Sequence, residues 1–354
     1  MTPSILDYIL ANKSTILNRV KSFKDSNRER VEHHWIDYAP RSLNGNSVTG
    51  VDGGRGVKVF REYSLYVVDG VGVVYSGYER GELIETFDVD LLVPQGLVDI
   101  RTRLLMQIVE AKTALKALNE GCNLVLCDGS LVSSIVFRSI VPYQSVENID
   151  LIISEVSALN SEKLVSKPIL SKNYASLVLK NYGEKAKTAM AKIEASEMLT
   201  TYRRLLEEYG SRVVWVSKTS TGTELLKTFI PDITILQYLT RGTGYTRPIQ
   251  ISISRPRKWS FPVHDDFFHG YELTLFYTRF EERGLVYRVE VPGRVDEDWV
   301  EWFMDSVCQY CVEGYPYMLR EADRIARVSR RDMETVMRVL GIVEARTGRE
   351  ALAK

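Results

Sequence analysis

Two apolar stretches that close on an acid followed by glycine restrict the possible folds of this chain more than any other feature. The first is Val51-Asp52-Gly53-Gly54-Arg55 and the second is Leu124-Val125-Leu126-Cys127-Asp128-Gly129-Ser130. Apolar runs that meet Asp-Gly read as strands stopping at a turn. Each acid then stands at the lip of a sheet. If the two strands are parallel neighbours, the carboxylates meet at the carboxyl edge, where open α/β sheets place their ligands. Two facing acids repel unless something positive lies between them, and a divalent metal is the simplest candidate.

The segments around these runs supply the rest of a sheet. Apolar spacing over residues 3–38 (Ile5, Ile9, Ile16, Val20) predicts a helix that also carries Lys13, Arg19, Lys21, Lys24, Arg28 and Arg30. Pro40, Asn44, Gly45 and Asn46 then break the pattern, so an N-terminal helical arm is expected over 1–45, followed by one structural unit over 46–354. Ser47 to Asp52, Tyr63 to Asp69, and Val71 to Tyr78 running on towards Leu92 read as three antiparallel strands. Val68-Asp69-Gly70-Val71 is the hairpin signal and Arg80-Gly81 a second turn. Leu97 to Asn119 is the clearest helix, with Leu97, Ile100, Leu104, Ile108, Ala111, Leu115 and Leu118 on one stripe, Glu110 beside it and Gly121 as its cap.

Downstream, helices are expected over Ser130 to Ile140, Ile149 to Leu159 and Glu184 to Glu208. The strand Arg212 to Val216 closes on Ser217-Lys218-Thr219, which puts a lysine at the same edge as the acids. Loop and helix surround Pro231, a late hairpin spans Leu273 to Arg279 and Gly284 to Val291, and helices cover 297–313 and 330–345. Arg255-Pro256-Arg257-Lys258-Trp259 mixes cations with an aromatic ring, as single-strand grooves do, and is equally an exposed turn. His264 and His269 flank Asp265-Asp266 in what reads as a solvated or lid loop. Cys308 and Cys311 have metal or redox spacing, yet they fall on an amphipathic pattern without a second such pair, which favours packing.

Charge narrows the partners. Lys plus Arg and Asp plus Glu are both 46, so the overall basic footprint of a nucleic-acid binder is missing and any DNA contact must be local. No stretch approaches the roughly 18 apolar residues of a membrane span, and no leader pattern opens the chain, so no membrane association and a cytoplasmic location are expected. The acids themselves suit phosphodiester hydrolysis, in which two divalent ions about 3.5 to 4 Å apart activate water and stabilise the leaving oxygen. Asp52 could bridge both ions, with Asp128 on one, Glu110 on the other, and Lys218 meeting the phosphate. Taken singly, each of these residues is also an ordinary turn or surface residue.

In order, Val51-Asp52-Gly53-Gly54-Arg55, Glu110, Leu126-Cys127-Asp128-Gly129-Ser130-Leu131, Ser217-Lys218-Thr219 and the segment from Gly314 to Asp323 resemble the NurA nucleases over nearly the whole chain. That resemblance implies an RNase H-like, PIWI-related mixed α/β sheet flanked by helices. It implies a Mn2+-dependent nuclease, with Mg2+ as the alternative ion, that degrades DNA 5′ to 3′ and cuts single strands internally. It also implies a ring-like homodimer working with the hexameric HerA translocase and other break-processing machinery in double-strand break end resection. By position, Asp52, Glu110 and Asp128 resemble the metal-binding acids and Lys218 the active-site lysine. Asp323 stands where many members carry histidine; it can bind Mn2+ or Mg2+ but cannot act as an imidazole acid or base. On this reading Arg55, Arg257, Lys258 and the arm face DNA, while apolar residues of the C-terminal helices and late hairpin form the dimer. The rivals are a non-catalytic clamp of a translocase and an actin-like ATPase, and the second would need a further domain and an adenosine-binding Gly-Gly segment.

Overall fold

The computed structural model describes residues 3–41, 46–77, 79–136, 146–162, 167–254 and 263–342. The chain opens with α1 (Pro3–His34), whose last residue runs straight into the short strand β1 (Trp35–Asp37). Three long strands follow, β2 (Ser47–Val59), β3 (Ser64–Ser76) and β4 (Glu79–Leu91), then α2 (Val98–Asn119), β5 (Leu124–Asp128), α3 (Leu131–Val136), α4 (Asp150–Glu162), α5 (Ala175–Tyr182) and α6 (Ala186–Tyr209). The second half comprises β6 (Val213–Ser217), α7 (Asp232–Leu239), β7 (Gly244–Thr246), β8 (Ile249–Ser252), α8 (Asp265–Phe268), β9 (Glu272–Arg279) and β10 (Tyr287–Pro292). It ends with α9 (Glu297–Cys308), the ribbon β11 (Cys311–Val312) and β12 (Tyr315–Pro316), α10 (Tyr317–Ala326) and α11 (Arg330–Val339).

Among the described residues one mixed sheet holds ten of these strands in the order β1-β7-β9-β10-β6-β5-β2-β3-β4, with β8 beside β9. β5 runs parallel to both β2 and β6, and the other pairs are antiparallel. Helices cover both faces. α2 and α6 bury Leu104, Ile108, Leu115, Met198 and Leu205 against one face, with Val51 and Trp215. On the other face α9 and α10 bury Phe303, Met304, Met318 and Leu319 with Val48, Leu126 and Val289. Such two-sided burial is what a parallel core requires, and it explains why β5 and β6 read as short continuous apolar runs.

Several expectations shift. The glycines after Asp52 do not stop the strand, because β2 continues to Val59 in register with β3. Asp69-Gly70 is no hairpin either: β3 passes through it, with Asp69 opposite Gly54 and Gly70 opposite Gly53. The turns lie instead at Phe60–Tyr63, closed by the Phe60 amide donating to the Tyr63 carbonyl at 2.8 Å, and at Gly77, whose φ is +59°. The glycines serve packing. A side chain on Gly70 would meet the Val109 backbone 2.7 Å away, and one on Gly54 would collide with the Ala326 carbonyl.

The helix expected over 297–313 ends at Cys308, and Cys311 sits in the ribbon. Both cysteines are free thiols; burial pushes Cys308 up to about 12 and holds Cys311 well above its ordinary value, so neither is a poised thiolate. The amphipathic α10 was not foreseen as a helix. Residues 137–140 and 343–345, the ends of two expected helices, lie outside the described residues, as does the whole of Arg255 to Trp259.

Candidate metal centre

Register places the acids. β2 and β5 pair in parallel with Val51 opposite Cys127, so Asp52 and Asp128 are the next residues on adjacent strands. Val51 and Cys127 both point into the α2 layer, and alternation along a strand turns Asp52 and Asp128 to the other face, towards α10. The anticipated meeting of the two carboxylates therefore occurs, although only β5 ends there.

Glu110 and Asp323 approach from opposite layers. Glu110 lies on α2, and its Oε2 comes so near Gly53 that a side chain at that position would stand 3.1 Å from it. The bare Gly53 is what lets a carboxylate from the helix layer reach the sheet beside Asp52. On the other face, Gly50 and Gly54 flank Asp52; a side chain on Gly50 would lie 2.5 Å from the Met318 carbonyl carbon. With both glycines, α10 settles directly on β2 and brings Asp323 into the field of Asp52.

The electrostatics follow from this crowding. Burial, and then the Asp128 charge, push Asp52 up to about 7, against the Gly53 amide that donates to its Oδ1 at 2.8 Å. Burial holds Glu110 well above the usual carboxylate range, reinforced by Asp52 and Asp128. Lys218 follows β6 directly and donates from Nζ to Asp128 Oδ2 at 2.8 Å, as its position in the sequence anticipated. Asp323 accepts from Arg327 at 3.0 Å.

Sequence reasoning missed Tyr315. The β11–β12 ribbon lays its ring 4.6 Å from Lys218 Nζ, and its buried hydroxyl has no hydrogen-bond partner among the described residues. Burial, together with Asp128, Asp52, Tyr287 and Asp323, raises its pKa far above that of a free phenol. The residue lay inside the quoted Gly314 to Asp323 segment, but no periodicity marks a two-residue ribbon folding back over an active edge.

Oxygen donors of this kind fit a hard divalent cation, which would relieve the repulsion that lifts Asp52 and Glu110. Among the described residues no three acid, histidine or cysteine side chains already converge to ligand distance. Asp128 is turned onto Lys218 and Asp323 onto Arg327, so metal binding would exchange those ion pairs for coordination.

Of the expected DNA-facing residues, Arg55 is committed locally. Its Nη2 meets Asp99 Oδ1 at 2.7 Å and its Nη1 reaches Thr102 Oγ1 at 2.8 Å. Arg257 and Lys258 lie outside the described residues. The loop reading for His264 gives way to a half-buried ring that bonds Arg203 at 2.9 Å and Thr200 at 3.1 Å; burial and the arginine push it down to about 4.

Comparison with known proteins identifies the family. The NurA domain model matches residues 46–328. The chain belongs to the NurA family. Its relatives include the DNA double-strand break repair nucleases NurA of Saccharolobus solfataricus, 27% identical over 93% of this chain and 91% of the relative, and of Sulfurisphaera tokodaii, 24% identical over 97% and 96%. The crystal structure of the NurA nuclease from Sulfolobus solfataricus, 25% identical, covers 96% of this chain and 97% of its own, with a TM-score of 0.72. A NurA crystal structure bound to dAMP and manganese superposes with a TM-score of 0.70 at 15% identity, covering 98% of this chain and 99% of that one, and so shares the NurA fold. The mixed sheet flanked by helices is thus the fold of NurA.

Proposed function

We propose that this chain is a metal-dependent deoxyribonuclease acting in DNA double-strand break repair, with Mn2+ as its ion and Mg2+ as the alternative. The observation that carries the reading is the β2–β5 register, which sets Asp52 beside Asp128 while Glu110 and Asp323 close in from the two helix layers. Asp52, Glu110, Asp128 and Asp323 would hold the metal, Asp52 being the central ligand. When bound, two such ions supply Lewis acidity towards the scissile phosphate and lower the pKa of an attacking water. Lys218, released from Asp128, meets the negative charge that develops on the phosphate, and the Tyr315 ring holds its ammonium in place. Arg55 would contact DNA by exchanging Asp99 for a phosphate, with Arg257 and Lys258 assigned to the same strand.

We read the sheet as RNase H-like, since three antiparallel strands, a helix and a parallel strand carry the acids in that order. The activity is 5′ to 3′ exonuclease and single-strand endonuclease, performed as a homodimer with a HerA-type hexameric ATPase. Relatives named as DNA double-strand break repair nucleases support the nuclease part of this reading. Labelled single-stranded DNA with purified protein and Mn2+ tests it. Cleavage is expected to fall by on the order of 1,000-fold in Asp52→Ala, with DNA binding retained, and to vanish in EDTA. A wild type inert even with the translocase and ATP would leave only the clamp.

A further inference from the structure

The turn that carries Asp128 is held by a carboxylate the reaction does not use. Glu290 lies on β10, fully buried, opposite Trp215 on β6. Ser130 Oγ donates to its two oxygens at 2.9 and 3.0 Å, and the Val132 amide donates to Oε2 at 3.1 Å. Arg288 Nε donates to Oε1 at 2.9 Å, and the same guanidinium grips Glu224 at 2.8 and 3.1 Å. The turn itself is tied to β6: the Gly129 amide donates to the Val216 carbonyl at 3.0 Å, and Ser217 Oγ to the Gly129 carbonyl at 2.6 Å. Gly129 has a φ of +102°, a left-handed conformation that leaves the chain free to reverse immediately after Asp128.

We infer that Glu290, clamped between Arg288 and Ser130, is a positioning residue that fixes the Asp128 carboxylate for metal binding. The inference rests on the proposed metal centre. A core in need only of filling would not bury a carboxylate with both oxygens aimed at one turn, because an uncompensated buried charge is costly. Here Arg288 and the turn donors stabilise the charge, and in return the turn becomes rigid. Groups that orient metal ligands act mainly on metal affinity, and their loss typically weakens it by about 10- to 100-fold.

The test is a Mn2+ titration without DNA, followed by calorimetry or the EPR signal of free Mn2+, on wild type, Asp128→Asn, Glu290→Gln, Ser130→Ala and Ser130→Thr, with a thermal melt of each. Glu290→Gln keeps the shape but removes the charge that answers both Arg288 and Ser130. Ser130→Ala removes one donor and leaves the buried pair, so it remains informative if the glutamine variant does not fold. We expect wild type to bind, Asp128→Asn to bind poorly, and Glu290→Gln and Ser130→Ala to bind 10- to 100-fold more weakly. Ser130→Thr, which restores the hydroxyl, should rescue affinity. Wild-type affinity in folded Glu290→Gln or in Ser130→Ala overturns the positioning role while leaving the metal centre intact. No Mn2+ binding by the wild type overturns both.

Discussion

At the scale of single residues, the acids are placed against their own solvation preference. Asp52 ordinarily ionises near 3.8 and here does so at about 7, first because it is buried and then because Asp128 faces it. A carboxyl whose folded value is raised binds its proton more tightly in the native state than in the unfolded chain. Between pH 3.8 and about 7 the native state therefore holds more protons, and metal-free stability falls as pH rises through that window. Asp52→Asn should reduce this slope, leaving the share of Glu110, and raise the melting temperature of the metal-free protein at pH 7.5, while abolishing the stabilisation that Mn2+ gives the wild type. Melts with and without Mn2+ across pH 4 to 8 check this; a variant with an unchanged pH slope would show that Asp52 is not the strained acid. Asp128 and Lys218 were legible in the sequence because apolar runs mark the ends of β5 and β6, and Asp52 because it follows an apolar run, although β2 continues past it. Glu110 was legible only as a helix residue beside a stripe, since its reach depends on Gly53 one layer away.

At the scale of elements, the two helix layers are fixed by different means. α2 is bolted to α6 by buried ion pairs. Arg101 Nη2 meets Glu194 Oε1 at 2.6 Å with Nε bridging both oxygens at 3.0 Å, and Lys112 Nζ meets Glu197 Oε1 at 2.7 Å. Both members of the first pair are about 2% exposed. Removing one partner strands a buried charge, so Glu194→Ala should cost about 3–5 kcal/mol, and replacing both partners with Arg101→Met and Glu194→Leu should recover most of it. Urea denaturation of the single and double variants checks both. α10, by contrast, approaches by steric absence. Gly54→Ala would force the Ala326 carbonyl away, at a cost of about 1–3 kcal/mol, and would move Asp323 with it. A thermal melt and a Mn2+ titration on that variant should both register the change; unaltered metal affinity would remove Asp323 from the centre. A glycine at every second position from Gly50 to Gly56, interrupted by Asp52, was visible in the sequence, but it reads equally as a turn until the facing helix is known.

At the scale of the whole molecule, the apolar surface extends beyond where the sequence put it. Of the C-terminal helices and late hairpin expected at a dimer interface, Phe276, Val289, Phe303 and Met318 are fully buried in the chain's own core, while Leu285, Val339 and Leu340 stay exposed. Exposed apolar side chains also gather on the first half of α1 (Leu6, Tyr8, Leu10) and along β4 (Leu83, Phe87, Val89, Leu91). β4 is a 13-residue edge strand, and its exposed apolar side chains make that open edge a natural place for a second chain to pair. α1 also ends in β1, so the arm is joined to the sheet and is not a detached tail. Light scattering should report the mass of two chains for the wild type. It should report one chain for Phe87→Glu, for Leu6→Glu combined with Leu10→Glu, or for both variants. Two-chain mass in each would exclude both surfaces. Among the described residues no helix is long and apolar enough to cross a membrane.

The sequence by itself determined the order of strands and helices in the first half, the two acids on neighbouring strands, the lysine at their edge and the family. These are local or ordered features: an apolar run, a helical stripe, an acid at a break. Tertiary structure alone decided that the glycines extend β2 instead of ending it, and that α10 carries Asp323 onto the face of Asp52. It also decided that Tyr315 covers Lys218 and that Glu290 grips the turn of Asp128. Each of these depends on contact between segments far apart in the chain, where close packing of one backbone on another sets the outcome and periodicity leaves no trace.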